Sequence, residues 1–412
     1  MNKFALSPAR TLLRRTSGLV LAVLALFLPS VAPAQDHTNP LNRDPAVLDA
    51  FQHFYNMDYD GALARFKEIR AAHPSDPIAT DYVLHTILFR ELFRLDLLDT
   101  TFYANDGFLT GKHTISENPA VRDQIKSMAG HAIDQADEEL KSDPKNVNAL
   151  FARGWARSLE AAYLAMVDRS FGAALKLALG AKSDDARVLQ LDPDYVDAKL
   201  VIGIYQYVLG ALPLGAKLLF GFAGMHGSKS AGIATLQDAA SRGLLTSVEA
   251  RTSMTLFLRR EGKYQQALAV NSTLLAQYPR NFLFCLEDAN ITKDLGRGMD
   301  AINLYRRLIA EAQHPGYFAS SHLELAFYGL GDTLRGQRLY SQAADAFQKA
   351  AFQPSTSPEL KRRSLLAAGE TYDLMNQRDK ARREYQAIIA AGGNSTQSDL
   401  AHKYMDKPYR GK

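Results

Sequence analysis

The sequence predicts an all-α protein, an α-solenoid of helical hairpins that carries a glycine-rich apolar insertion. The first observation is a pattern of small and large residues that occurs twice between residues 327 and 388. The pairs that lie 38 residues apart are Gly331 and Gly369, Ala343 and Ala381, and Phe347 and Tyr385. Two antiparallel helices pack closely where a small residue on one admits a large residue of the other. A repeated unit of this kind indicates stacked hairpins.

The second observation is that helical periodicity continues upstream and becomes less regular toward the N-terminus. Regular units begin at Val248 and, 34 residues later, at Phe282, and a short capping helix is expected from Ser398 to Tyr404. The predicted divisions are a signal peptide at 1–34, a linker at 35–44, divergent hairpins at 45–208 with an inserted helix and loop at 81–113, an apolar insertion and helix at 209–247, regular units with a cap at 248–405, and a frayed tail at 406–412.

The N-terminus has the layout of a secretory signal peptide. Four basic residues (Lys3, Arg10, Arg14 and Arg15) precede an apolar run from Leu19 to Leu28 and the small-residue site that ends at Ala34. An uncleaved membrane anchor is the alternative, but the run is short for a bilayer. We therefore expect cleavage after Ala34 and a periplasmic or secreted protein.

The overall charge argues against a nucleic-acid partner. Without the four basic residues of the signal peptide, 44 of the 48 basic residues remain and face 44 acidic ones. A nucleic-acid binder needs a basic face, which this balance does not provide. The single cysteine, Cys285, excludes a disulfide within the chain, and its apolar neighbours indicate a small core residue rather than a nucleophile.

Two stretches depart from the regular pattern. The first is an apolar helix from Asp81 to Leu98 followed by a loop from Asp99 to His113. The loop contains Gly107 and Gly111-Lys112-His113, but a phosphate-binding loop needs one more residue between the glycines and Ser or Thr after the lysine. We interpret it as a connecting turn.

The second departure is Leu209 to Gly227, which is rich in glycine and holds one formal charge, Lys217. It is too interrupted by glycine and proline for a spanning helix. We interpret it as an apolar insertion that packs over the helical array. A membrane- or lipid-facing element is the alternative.

The period of about 34 residues, with Tyr264, Ala267 and Pro279 in one unit and Gly296, Ala301 and Tyr305 in the next, resembles the tetratricopeptide repeat. That resemblance implies a scaffold for protein or peptide partners that needs no cofactor. A narrower likeness, in Gly203, Leu212-Pro213 and Gly221 to Gly224, resembles the central signature of the tetratricopeptide repeat protein 39 and fungal inclusion body clearance family. Its members are intracellular, so we carry no function across beyond an adaptor with a lipid link.

The tetratricopeptide resemblance also implies which residues line the groove. In the regular units these are Arg259, Asn290, Lys293 and Arg335, with Arg260 beside them. Such donors suit an acidic peptide or a C-terminal carboxylate. The alternative is that they are ordinary solvated charges.

In the first half the same positions carry apolar residues. They are Phe151, Trp155, Leu200, Ile204 and Tyr207. An exposed patch of this kind is costly, so we expect the insertion at 209–227 to fold over it. The alternative function that follows is binding of a lipid or another apolar ligand in this groove.

An enzyme or a metal site receives little support. The polar residues that could in principle form one are His85, Glu91, Asp96, Asp106, His113 and His131. No metal-ligand or nucleophile-elbow spacing joins them. We therefore predict a non-enzymatic, exported scaffold with no metal and no cofactor, which binds a protein or peptide partner.

Overall fold

Helix packs against the following helix throughout the chain. The computed structural model describes residues 37–103, 112, 115–212 and 226–411, and in this part every regular element is helical. The helices of the N-terminal half are α1 Pro45–Tyr55, α2 Tyr59–Ala72, α3 Pro77–Arg94, α4 Pro119–Ser142, α5 Val147–Met166, α6 Phe171–Leu191, α7 Lys199–Ala211 and α8 Lys229–Arg242.

The C-terminal half contains four regular hairpins and a final helix. These are α9 Ser247–Arg260 with α10 Tyr264–Gln277, α11 Phe282–Asp294 with α12 Gly298–Ala312, α13 Leu323–Gly336 with α14 Tyr340–Ala351, α15 Pro358–Leu374 with α16 Arg378–Ala390, and α17 Thr396–Asp406. Short 3-10 turns occur at Pro40–Arg43, Thr100–Tyr103 and Val196–Ala198. The predicted all-α solenoid of helical hairpins is confirmed.

Local sequence signals explain where several helices begin. Asp44, Asp76 and Asn118 are each followed by proline, and each side chain accepts a hydrogen bond from a backbone N–H in the first turn of α1, α3 and α4. Such a side chain satisfies an N–H that has no partner within the helix, and proline is tolerated at the first helical position.

The hairpins close as the repeated pattern predicts. A methyl group added at Gly331 would lie 2.7 Å from the ring of Phe347, and one added at Gly369 would lie 2.5 Å from the ring of Tyr385. The same arrangement occurs upstream, where a methyl group at Gly203 would lie 2.7 Å from Leu236. Glycine is therefore required at these contacts because any larger residue would overlap the aromatic or aliphatic side chain opposite.

The N-terminal hairpin also contacts the middle of the array. The Tyr55 hydroxyl donates a hydrogen bond of 2.5 Å to Glu249, and Asn281 donates one of 2.7 Å to the Tyr55 carbonyl. Fifteen of the 18 residues of α3 are buried. A helix buried on all sides is a core helix, so α3 lies in the interior, where it packs against α2, α4 and α5.

Both ends of the folded part differ from the prediction. The described part of the predicted linker is packed rather than solvated: Thr38, Asn39 and Asn42 are buried, and the Tyr82 hydroxyl donates a 2.6 Å hydrogen bond to Asn42. The predicted frayed tail is also anchored, because the Tyr409 N–H donates to Asp373 at 2.9 Å. Polar composition suggested a linker, but these polar groups find partners inside the protein.

Among the described helices, none combines the length and the apolar character that a membrane span requires.

Candidate functional site

The strongest candidate site is the surface on which the chain holds its own inserted segment. We call Leu95–Tyr103 the inserted segment, and we call the surface that it contacts, formed by α9, α11, α13, α15 and the residues that immediately precede them, the inner face. The inserted segment follows α3 and ends in the 3-10 turn Thr100–Tyr103. It meets side chains from all four regular units, as the following contacts show.

The centre of the inserted segment is held by α9 and α11. The Thr100 hydroxyl accepts a 2.5 Å hydrogen bond from Arg259 and donates one of 2.5 Å to Glu287. Asn290 donates to the Asp99 carboxylate at 3.4 Å. Hydrogen bonds that involve ionised groups are the stronger class, so these contacts fix the position of the segment along the inner face.

The two ends of the inserted segment contact α9, α15 and the residue that precedes α13. The Tyr103 carbonyl accepts a 2.5 Å hydrogen bond from Arg260, and the guanidinium of Arg363 lies 4.4 Å from the centre of the Phe102 ring. At the other end, Asp96 lies 2.7 Å from Nδ1 of His322, which precedes α13. The contacts combine ion pairing, hydrogen bonding and a cation–π interaction.

The structure places the five predicted groove residues on or beside this surface, and it gives each of them a partner within the chain. Arg259 is only 3% exposed and pairs with Glu287 and Asp294. Burial by itself would lower the pKa of Arg259, but the two carboxylates raise it above its ordinary value. Its positive charge is therefore already neutralised by the protein.

The remaining basic residues of the set are paired in the same way. Lys293 lies 3.1 Å from Asp332, and Arg335 lies 2.8 Å from Glu370. In both residues burial favours a lower pKa and the acidic partners raise it. Asn290 accepts a 2.6 Å hydrogen bond from the Tyr305 hydroxyl. Binding of an external peptide by these residues is not tested and stays a prediction, but the solvated-charge alternative does not describe the buried Arg259 and Asn290.

The predicted apolar residues of the first half do not lie together. Phe151 and Trp155 belong to the large core, where Trp155 contacts the rings of Tyr82 and His85. A separate core cluster, which α8 and α9 help to form, contains Leu200, Ile204 and Tyr207. Both groups of apolar residues are therefore packed against described helices. The positions were inferred from the repeat pattern, which does not anticipate the central α3.

The insertion itself lies mostly outside the described residues, which omit 213–225. Its two ends lie close together. A methyl group at Gly210 would lie 2.6 Å from the backbone of Lys229, and one at Gly227 would lie 2.5 Å from Leu209. Neither the predicted cover by the insertion nor its lipid contact is tested, and the narrower family likeness, which depends on the same stretch, also stays a prediction.

Of the predicted connecting turn from Asp99 to His113, the structure describes residues 99–103, which belong to the inserted segment, and Lys112. Its ammonium lies 3.1 Å from Asp399, and its backbone N–H donates a 3.1 Å hydrogen bond to the Thr396 hydroxyl. The chain that follows the inserted segment therefore reaches the first turn of α17.

A cavity of about 170 Å³ lies beside the inserted segment, between the N-terminal hairpin and α9 to α11. Its lining is largely apolar and includes Phe54, Phe89 and Phe284. The carboxylate of Glu249 and the amide of Asn271 contribute polar atoms to the same lining, and one oxygen of each accepts no hydrogen bond from the described residues. The cavity can accept a small molecule that carries a hydrogen-bond donor.

Two titratable groups meet where the N-terminal hairpin contacts α9. Glu249 lies 3.5 Å from His85. Burial raises the pKa of the Glu249 carboxyl to about 7, against the lowering effect of its hydrogen bond from Tyr55. Burial lowers the pKa of His85 to about 3. His85 is therefore neutral at neutral pH, whereas Glu249 gains or loses its proton around that pH.

The four described residues among those considered for an enzyme site, His85, Glu91, Asp96 and His131, do not converge as a group. Glu91 binds Arg94 through two hydrogen bonds of 2.7 Å, and His131 is exposed. Asp106 and His113 lie outside the described residues. Cys285 is half-buried rather than a full core residue, and burial, with Glu311 and Asp288 nearby, raises the pKa of its thiol to about 12, which disfavours the nucleophilic thiolate.

One cluster of three ligand-type residues does form, and the sequence did not indicate it. Asp96 lies beside His322 and Glu324, and all three are buried. Asp96 was among the considered residues, but its partners are more than 200 positions away. Only the path of the inserted segment across the inner face brings them together, so no spacing rule could have found this cluster.

These hairpins define the class of the protein: an α-solenoid of tetratricopeptide-like repeats whose inner face holds a segment of the same chain. No protein-family model matches the chain, and no curated protein sequence matches it. Solved structures similar to the chain include Cut9 in its complex with Hcn1 from the APC/C, with 13% identity, a TM-score of 0.49 and coverage of 95% of this chain.

Two further similar structures are yeast Tom70, with 12% identity and a TM-score of 0.42, and human IFIT1 with m7Gppp-AAAA, with 13% identity and a TM-score of 0.44. Both alignments cover 88% of this chain, and they cover 94% of Tom70 and 82% of IFIT1. The alignment to the Cut9 structure covers 59% of that chain, so the present chain spans well under two thirds of its length.

Proposed function

We propose that this protein is an exported, non-enzymatic scaffold whose regular repeats bind a segment of a partner protein along the inner face. One observation carries the proposal: the inner face already binds the inserted segment, Leu95–Tyr103, which consists of turns and a short 3-10 helix, through side chains of all four regular units. Rigid packed helices that present such side chains are suited to peptide recognition.

The bound segment also indicates the chemistry of the partner. Within it, Asp99 supplies a carboxylate to Asn290, Thr100 supplies a hydroxyl to Arg259, and Phe102 supplies an aromatic ring. A partner segment with the same order of an acidic, a hydroxyl and an aromatic residue would satisfy the same groups. The even charge balance after residue 34 supports a protein partner rather than a nucleic acid.

Competition between the inserted segment and a free peptide tests the proposal. A tethered segment has a high effective concentration and excludes a free competitor. Replacement of Phe102 by alanine removes the ring that contacts Arg363 and weakens the tethered segment. We expect a fluorescent peptide with the sequence of residues 95–103 to bind the F102A protein at least about tenfold more tightly than the parent protein, measured by fluorescence anisotropy.

The matched control is F352A, because Phe352 is also aromatic but is 63% exposed, whereas Phe102 is buried. This variant should bind the peptide as weakly as the parent protein. A peptide with asparagine and valine in place of the aspartate and threonine that match Asp99 and Thr100 should bind the F102A protein less tightly. Equal binding of the two peptides would contradict recognition by the inner face.

Export rests on the basic residues, the apolar run and the small-residue site that ends at Ala34. Mass spectrometry of the protein from fractionated cells tests it. We expect the mature chain to begin at Gln35 and to occur in the periplasmic or secreted fraction. An intact N-terminus in the cytoplasmic fraction would contradict export.

A second candidate function, the binding of a small amphipathic molecule, is supported by the apolar cavity beside the inserted segment. Its volume of about 170 Å³ suits an aromatic ring. Glu249 and Asn271 offer oxygen atoms to a donor such as an amine. Benzylamine should raise the melting temperature of the parent protein and have no effect on an S253L variant, in which leucine fills part of the cavity. No change in either protein would contradict this function.

A further inference from the structure

We propose that Asp96, His322 and Glu324 form a binding site for a divalent transition-metal ion. The ion would connect the inserted segment, through Asp96, to the start of α13, through His322 and Glu324. This inference does not depend on the proposed peptide-binding function, because it concerns how the chain holds its own segment.

The geometry brings three ligand atoms to one point. Nδ1 of His322 lies 2.7 Å from an oxygen of Asp96 and 3.3 Å from Oε1 of Glu324. All three ligand atoms lie within 4.8 Å of one another. Zinc ligands lie about 2.0–2.2 Å from the ion, so one ion can contact the three atoms after small adjustments of the side chains.

The charge balance of the cluster favours a cation. Asp96 is 1% exposed, Glu324 is 0% exposed and His322 is 8% exposed. Neither carboxylate forms an ion pair with a lysine or an arginine within the described residues. Two buried carboxylates beside a single imidazole leave negative charge in a medium of low polarity, which is costly unless a cation neutralises it. A divalent ion supplies that charge.

Unsatisfied oxygen atoms provide an independent observation. Oδ2 of Asp96 and Oε1 of Glu324 are buried and accept no hydrogen bond from any described residue. The second oxygen of Glu324 accepts a 2.8 Å hydrogen bond from Ser355, which orients the carboxylate. Carboxylate oxygens are rarely left without a partner in a protein interior, and a metal ion satisfies them.

The donor set indicates which ions fit. One imidazole nitrogen and two carboxylate oxygens suit zinc, manganese and ferrous iron, whereas an all-oxygen set would suit calcium or magnesium. His322 is further held by the ring of Phe93, whose centre lies 3.9 Å from the centre of the imidazole. Asp96 has a φ of 61°, a conformation that asparagine also tolerates well.

Metal titration of the purified full chain tests the proposal. The tag-free protein is treated with EDTA, dialysed, and titrated with zinc, manganese and cobalt chloride by calorimetry, and the cobalt complex is recorded by visible spectroscopy. We expect a single tight site and a cobalt absorption band. The D96N and E324Q variants keep the shape of each ligand and remove its charge, and each should weaken binding at least about 100-fold, the upper range for loss of a supporting group.

The matched control is H314A, because His314 is exposed and lies only eight positions before His322. This variant should bind metal as the parent protein does, and far-UV circular dichroism should confirm that all variants are folded. Two results would overturn the proposal: no stoichiometric binding of any of the three ions to the parent protein, or binding that is unchanged in both D96N and E324Q.

Discussion

The regular units and the N-terminal half close their hairpins in the same way but differ in what faces the interior. In both halves a glycine on one helix admits a large side chain of the next, as Gly331 admits Phe347 and Gly203 admits Leu236. The inner face of the regular units, however, carries ion pairs such as Arg259 with Glu287. The interior of the N-terminal half is instead an aromatic cluster around Trp155.

This difference shows that two separate requirements act on the sequence. The contact between the helices of a hairpin is local, so it repeats with the period of the units. The interior surface is set by what is packed on it, and that differs between the halves. The aromatic cluster packs against the apolar helix α3, whereas the polar inner face packs against the inserted segment, whose carboxylates, hydroxyl and backbone carbonyl need polar partners.

The largest expected effect is the loss of stability when the polar inner face loses its central charge. Replacement of Arg259 by methionine leaves Glu287 and Asp294 without their cation. Breaking a buried ion pair by removing one partner costs about 3–5 kcal/mol, and we expect a loss in this range in the free energy of unfolding, measured by urea denaturation at pH 7.

The control for this prediction comes from the N-terminal half, where Arg65 pairs with Asp49 on the surface, with the two side chains 39% and 59% exposed. An R65M variant should lose less than about 1 kcal/mol, because exposed ion pairs contribute little. Similar losses for the two variants would show that the inner face is not energetically distinct.

The difference between the two halves explains which features the sequence could predict. The all-α solenoid was predictable because the small and large residues at Gly331, Ala343 and Phe347 recur 38 positions later. This recurrence reflects a local contact between the two helices of a hairpin. The polar residues of the inner face were found in the same way, since Arg259 and Asn290 occupy repeat positions. Their partners were not predictable, because Thr100 and Asp99 reach them only through long-range folding of the segment after α3.

Partners that are distant in the chain also account for the predictions that were wrong. Thr38 and Asn42 have the composition of a linker, yet they are buried, because the hydroxyl of Tyr82 and the carboxylate of Asp197 lie opposite them. Ligand-type residues that meet in space after more than 200 intervening positions, such as Asp96 and His322, leave no signal in spacing. Sequence patterns therefore do not predict a contact when the two residues are far apart in the chain.

A smaller effect is expected where the two halves meet, at Glu249. Burial raises the pKa of this carboxyl from 4.5 to about 7 in the folded state. Between these pH values the folded state keeps a proton that the unfolded state releases. The free energy of unfolding should therefore fall as the pH rises from about 4.5 to about 7, by up to about 3 kcal/mol, and the loss should be complete above the folded-state pKa.

An E249Q variant isolates this effect, because glutamine can still accept the hydrogen bond from Tyr55. His85, whose pKa is lowered in the folded state, makes stability rise between about pH 3 and pH 6.5 and is present in both proteins. Urea denaturation at pH 5 and pH 8 should show that the free energy of unfolding changes in the more favourable direction for E249Q than for the parent protein, because the fall caused by Glu249 is removed and the rise caused by His85 remains. Parallel curves would mean that Glu249 ionises normally in the folded state.

The smallest expected effect tests the feature that the two halves share. Alanine at Gly331 would place its methyl group 2.7 Å from Phe347, and alanine at Gly203 would place its methyl group 2.7 Å from Leu236. Overpacking of a close contact costs about 1–3 kcal/mol, so thermal unfolding should show similar losses for G331A and G203A. Gly336, also in a helix, has no atom within 4 Å of an added methyl group, and G336A should be neutral or more stable by up to about 1 kcal/mol. A loss for G331A but not for G203A would restrict the close-packing rule to the regular units.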